Sequence, residues 1–387
     1  MSNPIKLSIF APMTKVERQM LCLVRMALWQ QDDDGGLLSA ETDWHAIRIL
    51  SEKKAVWGLV AATILRWADL TGTDLPEDME DACMKGQFNA IQQNQHINKV
   101  LAEVQQLLAH EGLSPILLKG QGVARFYPRP ELRTAGDIDV FLGSEAQRAA
   151  EILMPYAEPD SYRDKSAKHL NLEMKGVELE LHRFAINRYK RKTTRVLAQW
   201  ESRELRIDNS RRVEIDGCAV LVPSQMFELV FVFVHIWLHL MKGGIGLRQL
   251  CDWALILHHC HDDIDQEELE RLLREADLLR AWQVLGKMLT GLLGLPEQEF
   301  PLFSNRYKRA YRLVERMVLE SGRFGQNDRK TYAEQHAGKG LLRKWRMLVY
   351  TLRIHIRTMA LSPRESFAIY SSYYWKRIPY LFKKTPS

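Results

Sequence analysis

The chain has 387 residues, of which 46% are hydrophobic and 26% charged, and its formal net charge is +6. This length exceeds that of one ordinary domain, so two or three packed units are expected. Five scattered cysteines without a Cys-x-x-Cys pair disfavour a disulfide framework and a structural zinc site. The chain start lacks the basic-then-apolar order of a secretory signal, and Glu228 and two histidines interrupt the longest apolar run, residues 226–241. A cytoplasmic protein without an integral membrane segment is therefore expected.

Periodic apolar residues indicate the elements of the first half of the chain. Helical spacing predicts four helices, over residues 14–30, 42–68, 87–110 and 145–156. The short apolar run of residues 115–118 reads as a buried strand, and residues 137–142 read as a second strand, whose three apolar side chains face opposite to its two aspartates. A glycine turn follows the first of these strands, and Asp137 and Asp139 open the second.

A β-hairpin is predicted next. Residues 169–174 and 177–182 both alternate strictly between polar and apolar side chains, as strands with one buried face do. Lys175-Gly176 forms a two-residue loop between them, in which the glycine readily takes a positive φ.

The length of that loop predicts the register of the hairpin. Asn171 falls opposite Glu180, and His169 falls opposite His182. One face is then entirely apolar and the other is polar, and a polar face of this kind either meets solvent or lines a site. Its members are His169, Asn171, Glu173, Glu178, Glu180 and His182.

The remaining chain completes an α+β fold. A further β stretch, residues 212–222, precedes Pro223-Ser224 and a series of helices. We expect a small mixed-sheet core between N-terminal helices and a C-terminal helical bundle. The predicted division is an N-terminal helical segment, a core, and a C-terminal helical domain with a basic tail: residues 1–95, 96–222 and 223–387.

The strongest chemical signal is the pair Asp137 and Asp139. Strand side chains alternate, so both carboxylates lie on one face, opposite the glycine turn. Divalent cations prefer such hard oxygen ligands and share them with substrate phosphate. Asp263 and Asp265 have the same spacing, but Asp265 precedes a helix in the manner of a cap.

The order of several short motifs resembles a known family, the uncharacterised nucleotidyltransferases of bacteria, a branch of the polymerase β-like superfamily. The motifs are Leu118-Lys119-Gly120, Tyr127-Pro128, Arg133, Gly136-Asp137-Ile138-Asp139-Val140 and Glu180-Leu181-His182. In that superfamily a glycine turn contacts the triphosphate, two carboxylates on one strand bind metal, and a third carboxylate completes the site. The resemblance assigns these roles to Gly120, to Asp137 with Asp139, and to Glu180.

The resemblance also implies the cofactor and the donor. Two Mg²⁺ ions, or Mn²⁺, would bind at the acids, and a nucleoside triphosphate would be the substrate. Lys119 and Arg133 are candidates to neutralise the negative charge that develops on the leaving pyrophosphate. Many superfamily members have Ser or Gly directly after the first glycine, whereas this chain has Gln121, which leaves only a backbone contact there.

Three neighbouring side chains have alternative or supporting roles. Glu178 shares the face of Glu180 and is the rival third carboxylate. His182 and His169 are candidates for supporting roles, orienting a carboxylate or contacting substrate.

The sequence thus predicts magnesium-dependent transfer of a nucleoside monophosphate to an unidentified hydroxyl, on a small molecule or a protein. The alternative is an inactive nucleotide-binding or regulatory module of the same fold.

The C-terminal third carries two further patterns. His235 and His239 are four residues apart and are expected to face the core, and Arg248 and Asp252 have the spacing of a helical ion pair. From residue 339 onward, eleven basic residues stand against one acid. An anionic polymer or membrane surface is a candidate partner for this tail, because its basic and aromatic residues alternate: Arg353, Arg357, Tyr370, Tyr373, Tyr374, Trp375, Lys376, Arg377, Tyr380, Phe382, Lys383 and Lys384.

Overall fold

The computed structural model describes residues 12–33, 35–164, 166–186, 192–321 and 340–371. Its helices are α1 (Lys15–Trp29), α2 (Trp44–Lys53), α3 (Trp57–Thr71), α4 (Glu77–His110), α5 (Gln121–Ala124), α6 (Ala146–Leu153), α7 (Lys192–Glu204), α8 (Gln225–Met241), α9 (Leu247–Cys260), α10 (Gln266–Glu275), α11 (Leu279–Met288), α12 (Lys308–Glu320), α13 (Gly340–Thr358) and α14 (residues 363–371). Its strands are β1 (Ile116–Leu117), β2 (Ile138–Phe141), β3 (His169–Met174), β4 (Val177–His182), β5 (Arg211–Ile215) and β6 (Cys218–Val222).

One six-stranded mixed sheet contains all of these strands, in the order β3-β4-β2-β1-β6-β5. The pairs β3/β4, β2/β1 and β5/β6 are antiparallel, whereas β2/β4 and β1/β6 are parallel. Helices precede and follow the sheet, which confirms the α+β class.

The predicted hairpin is present in the predicted register. His169 pairs with His182, and Asn171 pairs with Glu180. Lys175 and Gly176 both have positive φ, 51° and 76°, as a tight two-residue turn requires.

The β stretch predicted over residues 212–222 is a second hairpin rather than one strand. β5 and β6 are joined at Asp216 and Gly217, whose φ angles are 46° and 78°. The periodicity of the segment did not reveal this turn.

The N-terminal helices differ from their predicted bounds in two places. The helix predicted over residues 42–68 is broken into α2 and α3 at Ala55, whose φ is 58°. Helix α4 begins at Glu77 and is continuous across residues 95 and 96, where the first domain boundary is predicted. The three-part division of the chain remains a prediction.

The sheet has one apolar face and one face that carries the acids. Ile138, Val140 and the apolar residues of the first hairpin pack with α4 and α6 in one hydrophobic cluster. A second cluster joins α1 to α3 with α8 to α12 and includes Ile116 and Leu118. Because strand side chains alternate, Asp139 and Glu180 are directed away from α4 and α6.

Two expectations from composition can be compared with the structure. All five cysteines are free thiols, as predicted. Among the helices of the described ranges, none has the length and apolarity to cross a bilayer.

Candidate active site

Three carboxylates meet on the polar face of the sheet. Asp139 lies on β2 and pairs in parallel register with Glu180 on β4, while Asp137 immediately precedes β2. One ligand oxygen from each of Asp137, Asp139 and Glu180 lies within 4.8 Å of the others. The three acids predicted from separate β segments therefore form one cluster.

Lys119 places a cation against this cluster. Its Nζ is 3.0 Å from Oδ2 of Asp139 and 3.8 Å from Oδ2 of Asp137. The turn that follows β1 is tight: Gly120 has φ 65°, and a Cβ at this position would lie 3.3 Å from the carbonyl oxygen of Asp137. A side chain is disfavoured here on both counts, so the glycine allows the lysine turn to approach the acids.

Two histidines border the same acids. Nε2 of His182 is 2.9 Å from Oδ1 of Asp139 and 3.2 Å from Oε2 of Glu180. Nδ1 of His169 is 3.2 Å from the same Glu180 oxygen. The imidazole rings meet edge to face, with centroids 5.1 Å apart. The histidine pair predicted from the hairpin register thus lies at the acid cluster and not in solvent.

A family model described as an uncharacterised nucleotidyltransferase matches residues 40–294, more than half of the chain. The chain belongs to the uncharacterised nucleotidyltransferase family. The match includes all three acids, both histidines and Lys119. No curated protein and no solved structure matches the chain.

Burial and neighbouring charges shift the pKa values of two side chains in the cluster. Burial alone would raise the pKa of Asp139, but Lys119 and His182 outweigh it and hold that pKa well below its usual value. Burial alone would lower the pKa of Lys119, but Asp139, Asp137 and Glu180 outweigh it and raise that pKa. Asp139 is therefore an anion and Lys119 a cation at neutral pH.

Two predicted nucleotide-binding residues are engaged elsewhere through their side chains. Gln121 is buried, and its amide donates to Oδ1 of Asn94 at 3.1 Å on α4. Arg133 donates two hydrogen bonds to Asp252, which leaves only Nη1 without a hydrogen-bond partner among the described residues. Their contacts with phosphate remain predictions, through the backbone for Gln121 and through Nη1 for Arg133.

The rival third carboxylate lies outside the cluster. Glu178 is exposed and accepts a hydrogen bond from Nδ2 of Asn171 at 2.9 Å. Glu180, two residues later, is the acid that reaches Asp139.

Helices α8 and α9 supply the opposite wall of the site. A cavity beside the cluster is lined by Lys119, Gly136, Asp137, His235, Arg248 and Gln249. Arg248 donates to the carbonyl oxygens of Thr134 and Ala135, at 2.9 and 3.3 Å. Since Asp252 pairs with Arg133, the ion pair expected between Arg248 and Asp252 is not formed.

Two further side chains near the cluster were not predicted to lie there. His235 was expected in the core but lines the cavity, and its pKa lies well below the usual value because of burial and, next, Lys119. Lys168, directly before β3, has a pKa lowered by burial and partly restored by Asp139. The spacing of His235 and His239 indicates that both lie on one face of the helix. It does not indicate which other part of the protein packs against that face.

The donor set suits a divalent metal ion. Three carboxylates converge, and one of them, Asp139, is almost fully buried and has Lys119 as its close cation. Hard divalent ions bind such oxygens, and two carboxylates on one strand can bind one ion together. Asp137, Asp139 and Glu180 are the residues that would hold it.

The basic tail is described only in part. Arg353, Arg357 and Tyr370 lie in α13 and α14. The rest of the predicted basic and aromatic residues lie outside the described residues: Tyr373, Tyr374, Trp375, Lys376, Arg377, Tyr380, Phe382, Lys383 and Lys384.

Proposed function

We propose that the protein transfers a nucleoside monophosphate from a nucleoside triphosphate to a hydroxyl acceptor, with Mg²⁺ at Asp137, Asp139 and Glu180. The observation that carries the proposal is the convergence of these acids beside the Lys119-Gly120 turn in a member of a nucleotidyltransferase family. We place the reaction in the cytoplasm, where nucleoside triphosphates are supplied.

The reaction forms a bond from the acceptor oxygen to the α-phosphorus and breaks the bond to the bridging oxygen of the β-phosphate. Pyrophosphate leaves with that electron pair, and the hydroxyl proton passes to water. The bound divalent ion would neutralise phosphate charge and polarise the α-phosphorus.

The protein's own residues would supply position and countercharge. Lys119, whose Nζ lies against Asp139, is placed to balance charge that develops on the leaving pyrophosphate. Arg248 reaches the cavity next to Asp137 from α9, and a guanidinium is well suited to hold phosphate oxygens.

The direct experiment measures two quantities in one reaction: the label transferred to an acceptor and the pyrophosphate released. Purified protein with Mg²⁺ and α-labelled nucleoside triphosphates is offered panels of small hydroxyl compounds and of proteins. We expect acceptor-dependent labelling with stoichiometric pyrophosphate release, and a loss of at least about 100-fold in Asp139→Asn and Glu180→Gln. Asp263→Asn is the matched control, since Asp263 belongs to a second Asp-x-Asp and is exposed.

A second candidate function is a nucleotide-binding module without turnover. The engagement of Gln121 with α4 favours it, because the side chain directly after Gly120 is already hydrogen-bonded to Asn94. Calorimetry with nucleotide and Mg²⁺ separates the two functions: tight binding, with no label transferred to any acceptor in the panels, would support the module.

We also infer that the C-terminal segment binds an anionic lipid surface. Over residues 348–360, which comprise the described side chains of α13 and the two residues after it, the exposed residues form one apolar stripe: Val349, Leu352, Ile356 and Met359, with exposed fractions of 43, 46, 48 and 38%. This stripe belongs to a segment with eleven basic residues and one acid. An apolar stripe beside basic residues is the pattern of helices that lie in the plane of an anionic membrane.

A further inference from the structure

The Glu180 side of the cluster contains nitrogen donors that a magnesium site does not need. Nδ1 of His169 and Nε2 of His182 both lie 3.2 Å from Oε2 of Glu180. One ligand atom from each of these three residues lies within 4.8 Å of the others. Mg²⁺ is bound almost entirely through oxygen, whereas imidazole is a common ligand of Mn²⁺, Co²⁺ and Zn²⁺.

The contact between His169 and Glu180 is not explained by hydrogen bonding. Nδ1 of His169 is shielded from solvent and has no hydrogen-bond partner among the described residues, although the carboxylate oxygen is only 3.2 Å away. Two ligands of one ion, each about 2.1 Å from it, are separated by about 3.0 Å at octahedral angles and by about 3.4 Å at tetrahedral angles. The observed spacing of 3.2 Å falls in the range of two atoms that bind one ion.

His182 differs from His169 in this respect. Its Nε2 is hydrogen-bonded to Oδ1 of Asp139 at 2.9 Å, and its Nδ1 has no partner among the described residues. The tautomer with the proton on Nε2 fits these contacts, because it donates to Asp139 and leaves Nδ1 as an unprotonated acceptor. His182 thereby acts as a positioning residue for Asp139 and Glu180.

We propose that His169 Nδ1 and Glu180 Oε2 are ligands of the same divalent metal ion, held beside Asp139. The ion belongs to the class that binds imidazole nitrogen, such as Mn²⁺, Co²⁺ and Zn²⁺. This inference rests on the metal site of the proposed function and names the ion class that the Glu180 side selects. Asp137 and Asp139 retain the oxygen-rich side for Mg²⁺.

Electron spin echo spectroscopy of the full-length protein loaded with one equivalent of Mn²⁺ tests the ligand directly, because imidazole nitrogen bound to Mn²⁺ modulates the echo. We expect nitrogen modulation in the wild type and its loss in His169→Gln, with Mn²⁺ affinity lowered roughly tenfold and Mg²⁺ affinity nearly unchanged. His45→Gln is the matched control, since His45 forms an exposed pair with Asp78 at a similar 3.1 Å. That variant should retain the wild-type signal.

Two results would overturn the inference: Mn²⁺ that binds without nitrogen modulation, or modulation that persists in His169→Gln. The first result, combined with acceptor labelling supported by Mg²⁺, would leave the proposed function standing. Loss of modulation only in His182→Gln would assign the ligand to His182 and also reject His169. Failure of every divalent ion to bind would reject this inference together with the metal site of the proposed function.

Discussion

The guanidinium of Arg133 binds the carboxylate of Asp252 through two parallel hydrogen bonds, Nε to Oδ1 at 2.8 Å and Nη2 to Oδ2 at 2.9 Å. Both side chains are buried, and the hydroxyl of Tyr127 donates to the same carboxylate at 2.7 Å. The contact joins the loop before β2, the strand that carries Asp139, to α9 of the C-terminal helices. It therefore helps to hold the two walls of the site together.

Arg133→Met should destabilise the protein strongly, because Asp252 would remain buried without its cation. Loss of one partner of a buried pair costs about 3 to 5 kcal/mol in the free energy of unfolding. Urea unfolding measures this loss. Arg129→Met is the control: the Arg129–Glu131 pair is much more exposed, and its loss should cost no more than about 1 kcal/mol. Equal losses in the two variants would contradict the role given to Arg133.

Lys119→Met should increase the affinity for Mn²⁺ while weakening turnover. Nζ of Lys119 lies 3.0 Å from the Asp139 oxygen that an ion would use, so the ammonium competes with the ion. At the effective dielectric of a protein, removal of a unit charge at this distance should strengthen the binding free energy of the ion by more than about 1 kcal/mol. This corresponds to roughly tenfold in affinity. Calorimetry with Mn²⁺ measures it, with Lys175→Met as the control for an exposed lysine–glutamate pair. Lower affinity in Lys119→Met would show that the lysine does not compete with the ion.

Stability should fall as the pH is lowered from about 6.5 to about 4, in part through His239. Burial and the nearby cation Lys242 lower the pKa of His239 from 6.5 to about 4. The unfolded chain therefore binds the proton first, and stability present above the unfolded pKa is lost as the pH falls through this window.

The test compares the pH dependence of the urea midpoint in the wild type and in His239→Gln. The variant should show a shallower decline between these pH values. His261→Gln, in the short helical turn that follows α9, is the control and should follow the wild type. Parallel curves for the wild type and His239→Gln would reject this source of the pH dependence.

Binding to lipid vesicles should depend on the exposed stripe of α13. The protein should co-sediment with phosphatidylglycerol vesicles and not with phosphatidylcholine vesicles, and binding should weaken as salt is added. Leu352→Glu combined with Ile356→Glu should weaken it at least about tenfold, because burial of both apolar side chains is lost.

Ile49→Glu is the matched control, since Ile49 is 67% exposed on a different helix, α2. Vesicle binding that is equal in the stripe variant and in the wild type would reject the α13 surface. Salt-sensitive binding to RNA without binding to vesicles would assign the basic segment to nucleic acid instead.

The sequence predicted local geometry correctly where the regular alternation of side chains along a strand determines it. The alternation of side chains along residues 169–182 and the two-residue loop determined the pairing of His169 with His182, and the structure shows that pairing. The same alternation placed Asp137 and Asp139 together on the polar face. The turn at Asp216 and Gly217 was missed because the pattern of that segment continues across it.

The order of the motifs along the chain was sufficient to indicate the family and the three acids, because turn length, strand alternation and residue chemistry are local properties. Only the tertiary structure decided the partners of the charges: Lys119 against Asp139, Arg133 against Asp252, and His235 at the cavity and not in the core. Arg133 and Asp252 are 119 positions apart. Their meeting depends on how α9 packs against the loop before β2, a relation that no periodic pattern along the chain encodes.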